Sequence, residues 1–155
     1  MRTAVGLIAL AASLGCGAGN SKADANPPAP GGTAVITVEM HGFRSDRGSA
    51  LVGLYADAEG FPNDGGAAFK RVEVTISGGT ATATFSAVPA TTVAVGVLHD
   101  EDGDKVMKTG FMGRPKEGYG VTRDAPARFG PPSFEDSSIV VTDGQRLTTR
   151  IKIRY

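Results

Sequence analysis

The sequence predicts an all-β domain, and three observations lead to that prediction. From Thr33 onwards, apolar and polar residues alternate with a period of two in several short runs, as in half-buried strands. The chain has 22 Gly and 9 Pro, which suits frequent turns. No window has the period of a long helix, and a helical turn at 57–63 is the most that the pattern allows.

The alternation is clearest in the first and last runs. "TAVITVEMH" at 33–41 and "RLTTRIKIRY" at 146–155 each place their apolar residues on one face. "SGG" at 77–79 predicts the turn of a hairpin. The remaining runs are "SALVGLYAD" (49–57), "FKRVEVTIS" (69–77), "GTATATFSAV" (79–88), "TTVAVGVLH" (91–99) and "SSIVVTD" (137–143). Together they predict about seven strands, each with one buried face.

Strands of this kind, joined by frequent turns, predict an antiparallel β-sandwich of immunoglobulin-like or transthyretin-like type over residues 33–155. A small β-barrel is the alternative, because the pattern of a single sequence does not separate the two. One long segment without a period, at 110–136, interrupts the strands. Its aromatic residues predict that it packs over the sheet as an irregular cover, and such a cover could also form a binding surface.

The N-terminal residues resemble an export signal rather than part of the fold. Arg2 precedes an apolar run at 4–14, and Cys16, the single cysteine of the chain, follows it as in a bacterial lipoprotein signal. We therefore expect residues 1–16 to be a signal peptide that ends at a lipidated Cys16, and 17–32 to be a flexible Pro/Gly linker. The alternative is a soluble secreted or periplasmic protein, cut after Ala18 or Ala25.

The charge balance excludes one class of partner. The chain has 16 basic and 16 acidic residues, so its formal net charge is zero. Binding to nucleic acid requires a basic surface that neutralises phosphates, and the sequence gives no sign of one. The expected partners are the membrane, through the lipid anchor, and an envelope protein or glycan.

Several segments, in order, resemble a bacterial family catalogued as domain of unknown function 2141. They are "LVGLYADAEGFP" at 51–62, "LHDEDGD" at 98–104, "GFMGRPKEGYG" at 110–120, "RFGPPSFEDSSIVV" at 128–141 and the last strand, which ends at Tyr155. The resemblance covers nearly all of the chain after Thr33. It implies an exported or surface-associated bacterial protein with a β-sandwich domain and no established activity.

The acidic stretch that follows the run at 91–99 has half of the ligand positions of a calcium loop. Counted from Asp100, Asp102 and Asp104 occupy positions 3 and 5, which supply calcium ligands in such loops. Lys105 and Lys108 stand at positions 6 and 9, where the family pattern has Gly and Asp, and lysines there can instead neutralise the carboxylates. Glu101, Glu117 or backbone carbonyls could supply further ligands. Calcium is thus one hypothesis, and a solvated acidic turn is the other.

His99 suggests a different chemistry. A histidine beside carboxylates could act as the base of a hydrolase, although the sequence contains no serine nucleophile motif. The alternative is that His99 only hydrogen-bonds to the following loop and orients it. A third hypothesis is a binding surface for a protein or a sugar, since rings and cations cluster in this part of the chain. Its residues would be His99, Arg114, Lys116, Glu117, Tyr119, Arg128 and Phe129. We favour a non-enzymatic binding or structural module, without a catalytic residue and without an obligatory cofactor.

Overall fold

The computed structural model describes residues 32–110 and 115–155. Cys16, Arg114 and the predicted signal peptide lie outside these ranges. In chain order the elements are β1 (Ala34–His41), β2 (Ser49–Tyr55), β3 (Lys70–Val74), β4 (Thr80–Val88), β5 (Thr92–Asp100), β6 (Gly118–Val121), a 3-10 turn (Thr122–Asp124), α1 (Phe134–Ser137), β7 (Ile139–Val140) and β8 (Arg146–Lys152). No helix among the described residues is long and apolar enough to cross a membrane.

The strands form two sheets, which confirms the β-sandwich. One sheet has the order β4-β1-β8, and the other has the order β3-β2-β5-β6, with β7 paired to the start of β5. The two sheets do not close into a barrel, so the alternative of a small β-barrel is wrong. The pairing of β1 with β8 is parallel, whereas every other described strand pair is antiparallel.

The core lies between the inner faces of the two sheets. Alternate residues of β1, from Ala34 to Met40, are at most 2% exposed, and alternate residues of β2, from Ala50 to Leu54, are at most 1% exposed. The apolar faces predicted for these strands are therefore confirmed. In β5 nearly every residue is buried, because loops and neighbouring strands cover its outer face as well. This explains why its sequence is almost continuously apolar.

The predicted hairpin turn forms, but its two strands enter different sheets. Ser77 and Thr80 exchange backbone hydrogen bonds across Gly78 and Gly79, which both have positive φ. Asp46 accepts hydrogen bonds from both glycine N–H groups at 2.8 Å. β3, before the turn, pairs with β2, whereas β4, after the turn, pairs with β1. The turn therefore carries the chain from one sheet to the other.

The described part of the segment, 115–136, is less irregular than predicted, since it contains β6, the 3-10 turn and most of α1. Phe134 packs edge-on against Phe61 with ring centroids 5.8 Å apart, as expected for a cover. For Phe129 the predicted packing is wrong, because its side chain is fully exposed. The helical turn allowed at 57–63 is a hydrogen-bonded turn and not a named helix.

The C-terminal residues link the two sheets. Beyond β8 the chain stays paired with His41 of β1, and Arg154 then exchanges two backbone hydrogen bonds with Tyr119 of β6, at 2.9 and 2.8 Å. Two glycines of β6 permit this approach. A Cβ on Gly120 would lie 2.9 Å from the Lys152 carbonyl, and one on Gly118 would lie 2.6 Å from the Tyr155 ring. A Cβ at either position would force a neighbouring group to shift, and at Gly120 one of those groups is backbone.

Gly120→Ala should therefore lower the free energy of unfolding by about 1–3 kcal/mol, because the added methyl group meets backbone that is fixed in a strand. Urea denaturation measures the loss. Gly65→Ala is the matched control, since a Cβ there has ordinary space, and it should change stability by less than about 0.5 kcal/mol. Equal losses for the two variants would contradict the close approach of β6 and the C-terminal chain.

Candidate functional site

The candidate site lies at the end of β5, where the strand leaves the sheet. His99 faces the core opposite Ala50, and Asp100 lies on the other face of the sheet, opposite Ser49. Both side chains are almost completely buried, with 0% and 1% exposure. A buried polar group must find hydrogen-bond partners, so the contacts of these two residues define the surroundings of the site.

Both ring nitrogens of His99 are engaged. Nδ1 lies 2.6 Å from the Tyr155 hydroxyl, and Nε2 lies 2.9 Å from the Arg47 carbonyl oxygen, to which it donates. Phe43 packs edge-on against the imidazole. The expectation that His99 orients the loop after it is therefore wrong. It connects the β1–β2 loop to the C-terminus, and residues distant in sequence supply its partners.

Next to His99, Tyr155 and Glu101 share a partner in Arg44. The Arg44 backbone N–H donates to the Tyr155 hydroxyl at 3.0 Å, and the guanidinium carbon lies 4.5 Å from the centre of the Tyr155 ring. The guanidinium also donates to Glu101, from Nε at 3.1 Å and from Nη2, and the Ser45 hydroxyl donates to Glu101 as well. These bonds, first of all those from Arg44, lower the pKa of Glu101 from 4.5 to about 2. Glu101 is thus committed to an ion pair and does not join the acidic cluster.

Asp100 is the residue that shapes the acidic loop. Its two carboxylate oxygens accept hydrogen bonds from the backbone N–H groups of Gly103 at 2.8 Å and Lys105 at 3.0 Å. Lys105, at position 6 of the loop, has φ of +63°. Calcium loops place glycine at that position because the backbone turns sharply there. The loop therefore has the turn at position 6 although the residue there is lysine.

Four carboxylates converge at this loop. Asp100, Asp102, Asp104 and Glu117 each offer an oxygen, and these oxygens all lie within 4.8 Å of one another. Glu117 directly precedes β6, and its side chain accepts a hydrogen bond from the Lys108 N–H at 3.1 Å. Pairing of His99 with Gly118 brings β6 alongside the loop. Of the further ligands considered from the sequence, the structure adds Glu117 to the three aspartates.

A lysine lies against the outer part of this cluster. The Lys108 ammonium contacts the carboxylate of Asp102 and lies 2.9 Å from that of Asp104. The hydrogen bonds to Asp102 and Asp104 raise the pKa of Lys108. The hydrogen bond from Lys108 in turn lowers the pKa of Asp104. Lys105 points away and pairs with Glu73 at 3.1 Å. Neutralisation of the loop by lysine, as the sequence suggested, is thus confirmed for Lys108 and not for Lys105.

The residues predicted as a binding surface do not all lie together. His99 and Glu117 are buried, whereas Lys116, Arg128 and Phe129 are exposed. Tyr119 is partly buried in β6, opposite Leu98. Sequence reasoning did not identify Arg44 as a partner of this site. It also gave Tyr155 no role there, and no local pattern marks either residue.

The fold and the site define a small β-sandwich protein with a carboxylate-rich loop at one end. A family model described as "Uncharacterized protein conserved in bacteria (DUF2141)" matches residues 38–149, and the chain belongs to this family. The family suspected from the sequence motifs is thereby confirmed. Neither the curated proteins nor the solved structures include a significant match to the chain.

The ion pair of Glu101 with Arg44 predicts a pH-dependent contribution to stability. Because the folded-state pKa lies below 4.5, this contribution is complete above pH 4.5 and is lost as the pH falls towards about 2. Glu101→Gln should thus lower the free energy of unfolding by about 1 kcal/mol at neutral pH and have little effect near pH 2. Urea denaturation across this range measures the difference. Glu59→Gln, at an exposed position, is the control, and a loss that did not change with pH would contradict the assignment.

Proposed function

We propose that the protein is a non-enzymatic module of the bacterial cell envelope, exported and held at a membrane by a lipid on Cys16. The support for export is the apolar run at 4–14 followed by the single cysteine, and the support for a tether is the Pro/Gly-rich composition of 17–32. The exposed side chains of Arg128 and Phe129 offer an envelope protein or glycan a cation and an aromatic ring.

The surroundings of His99 favour a structural role over a catalytic one. A general base must reach a proton of the substrate, and His99 is completely buried with both ring nitrogens bonded to protein groups. Neither partner is a carboxylate that would orient and charge the imidazole. A hydrolase that uses His99 would first have to break this network, so the module hypothesis takes precedence.

The second part of the proposal is that the acidic loop binds a divalent cation of the calcium type. The observation that carries it is the convergence of four carboxylate oxygens, two of them from the buried side chains of Asp100 and Glu117. An all-oxygen, anionic set of donors suits a hard cation such as Ca²⁺ and lacks the nitrogen and sulfur ligands of zinc sites. Backbone carbonyls and water would complete the coordination.

Lys108 competes with the cation in this proposal. Its ammonium contacts carboxylate oxygens of Asp102 and Asp104, two of the four residues that would bind the ion, so the ion and the ammonium compete for the same carboxylates. Binding would release Lys108 towards solvent. The affinity is therefore expected to lie at the weak end of calcium modules, in the range of extracellular sites.

Calcium should raise the melting temperature of the protein, because a ligand that binds only the native state stabilises it. At about ten times its dissociation constant, calcium adds about 1.4 kcal/mol, or roughly 3–6 °C for a domain of this size. Differential scanning calorimetry with calcium and with chelator measures the shift. Lys108→Gln should enlarge the shift at a given calcium concentration, and Asp102→Asn should abolish it.

Asp136→Asn, at an exposed carboxylate on α1, is the matched control and should leave the shift as in the wild type. The cation proposal fails if millimolar calcium leaves the melting temperature of both the wild type and Lys108→Gln unchanged. In that event the loop would be a turn whose charge is balanced by Lys108 alone.

The lipid anchor has a direct test in the mass of the mature protein. We expect a mature chain that begins at a diacylglyceryl- or triacylglyceryl-modified Cys16, and Cys16→Ser should prevent the modification and release the protein from membranes. Mass spectrometry of the N-terminal peptide and membrane fractionation check this. An unmodified chain that begins after Ala18 or Ala25 would show ordinary secretion instead.

A further inference from the structure

A cavity of about 410 Å³ opens on the outer face of the larger sheet, away from the core. Its floor consists of two rows of residues that the strand register places side by side. One row is Arg71, Gly53 and Gly96, and the other is Glu73, Leu51 and Leu98. The volume lies in the range of sites that bind small molecules, about 300–1,000 Å³.

The ring of Tyr55 covers the two glycines of the first row and contacts the loop that forms one wall of the cavity. A Cβ on Gly53 or Gly96 would lie 2.9 or 3.3 Å from Cε2 of Tyr55, so the ring rests on both glycines. The Tyr55 hydroxyl lies 3.3 Å from the Pro62 carbonyl oxygen and 3.2 Å from that of Asp64. These contacts fix the loop after β2 beside the sheet. The cavity is therefore a formed feature of the fold.

The charges around the cavity leave one cation without an acidic partner. Glu73 accepts hydrogen bonds from Ser49 at 2.8 Å and from Lys105 at 3.1 Å, so Lys105 and Glu73 neutralise each other. Arg71, the other cation of the lining, forms no ion pair with any residue in 32–110 or 115–155. Its side chain extends along the cavity wall, with Nη1 4.0 Å from the position that a Cβ on Gly65 would take.

We propose that this cavity binds a small organic carboxylate, with the Arg71 guanidinium on the carboxylate and the apolar body of the ligand on Leu51 and Leu98. A guanidinium presents two parallel N–H donors that match the geometry of a carboxylate, and the apolar floor favours a body that gains by leaving water. The site shares none of the four clustered carboxylates, so this inference does not rest on cation binding.

Three carboxylates and their neutral amides test the proposal on the ¹⁵N-labelled full chain by NMR. The probes are phenylacetate, 3-phenylpropionate and hexanoate. We expect at least one carboxylate to shift the backbone amide signals of Leu51, Gly53, Gly96 and Leu98, and to bind about tenfold more tightly than its amide. Arg71→Gln should reduce the affinity for the carboxylate to that for the amide, and Arg71→Lys should restore part of it.

Arg146→Gln removes the same charge from the smaller sheet and is the matched control, expected to leave the affinity unchanged. Arg71 is exposed on a short strand, so its replacement by glutamine should not disturb folding. The proposal is overturned if none of the three carboxylates shifts these amide signals, if the amides bind as tightly as the carboxylates, or if Arg71→Gln and Arg146→Gln weaken binding equally.

Discussion

The burial of two carboxylates at one end of the sandwich is the constraint on which the rest of the site depends. Asp100 is 1% exposed and Glu117 is 4% exposed. Removing a carboxylate from water costs several kcal/mol unless donors or cations replace the lost hydration. Backbone N–H groups of the loop meet this requirement, from Gly103 and Lys105 to Asp100 and from Lys108 to Glu117. The conformation of the loop is thus tied to the charge that it surrounds.

The position of Glu117 depends in turn on how the C-terminal residues cross between the sheets. The glycines of β6 admit the chain after β8, and the backbone pairing of Tyr119 with Arg154 holds β6 beside it. The Tyr155 hydroxyl contacts Nδ1 of His99 at the edge of the core, next to the start of the acidic loop. A polar network that is fully bonded in this way specifies one arrangement, because each broken bond would leave a buried group unsatisfied. No buried side-chain nitrogen or oxygen among the described residues lacks a partner.

Local pattern was sufficient to predict which residues of β1, β2 and β5 face the core, because a period of two and burial on one face are properties of each strand alone. Pairing between distant parts of the chain was not predictable in this way. The parallel pairing of β1 with β8, the partners of His99 and the row of Arg71, Gly53 and Gly96 all depend on register between strands far apart in sequence. The sequence offers Glu117 as a possible ligand, but only the pairing of β6 with β5 brings it to the aspartates.

We propose that the acidic loop exchanges the Lys108 ammonium for a divalent cation. A cation bound there would compete with the Lys108 ammonium, because both would use the carboxylates of Asp102 and Asp104. The exchange can be tested directly by crystal structures of the full chain, from crystals grown with calcium and with chelator. With calcium, we expect an ion bound by oxygens of Asp100, Asp102, Asp104 and Glu117 at about 2.3–2.6 Å, with Lys108 turned away. A calcium-grown structure in which Lys108 still contacts both aspartates, with no ion among the four carboxylates, would contradict it.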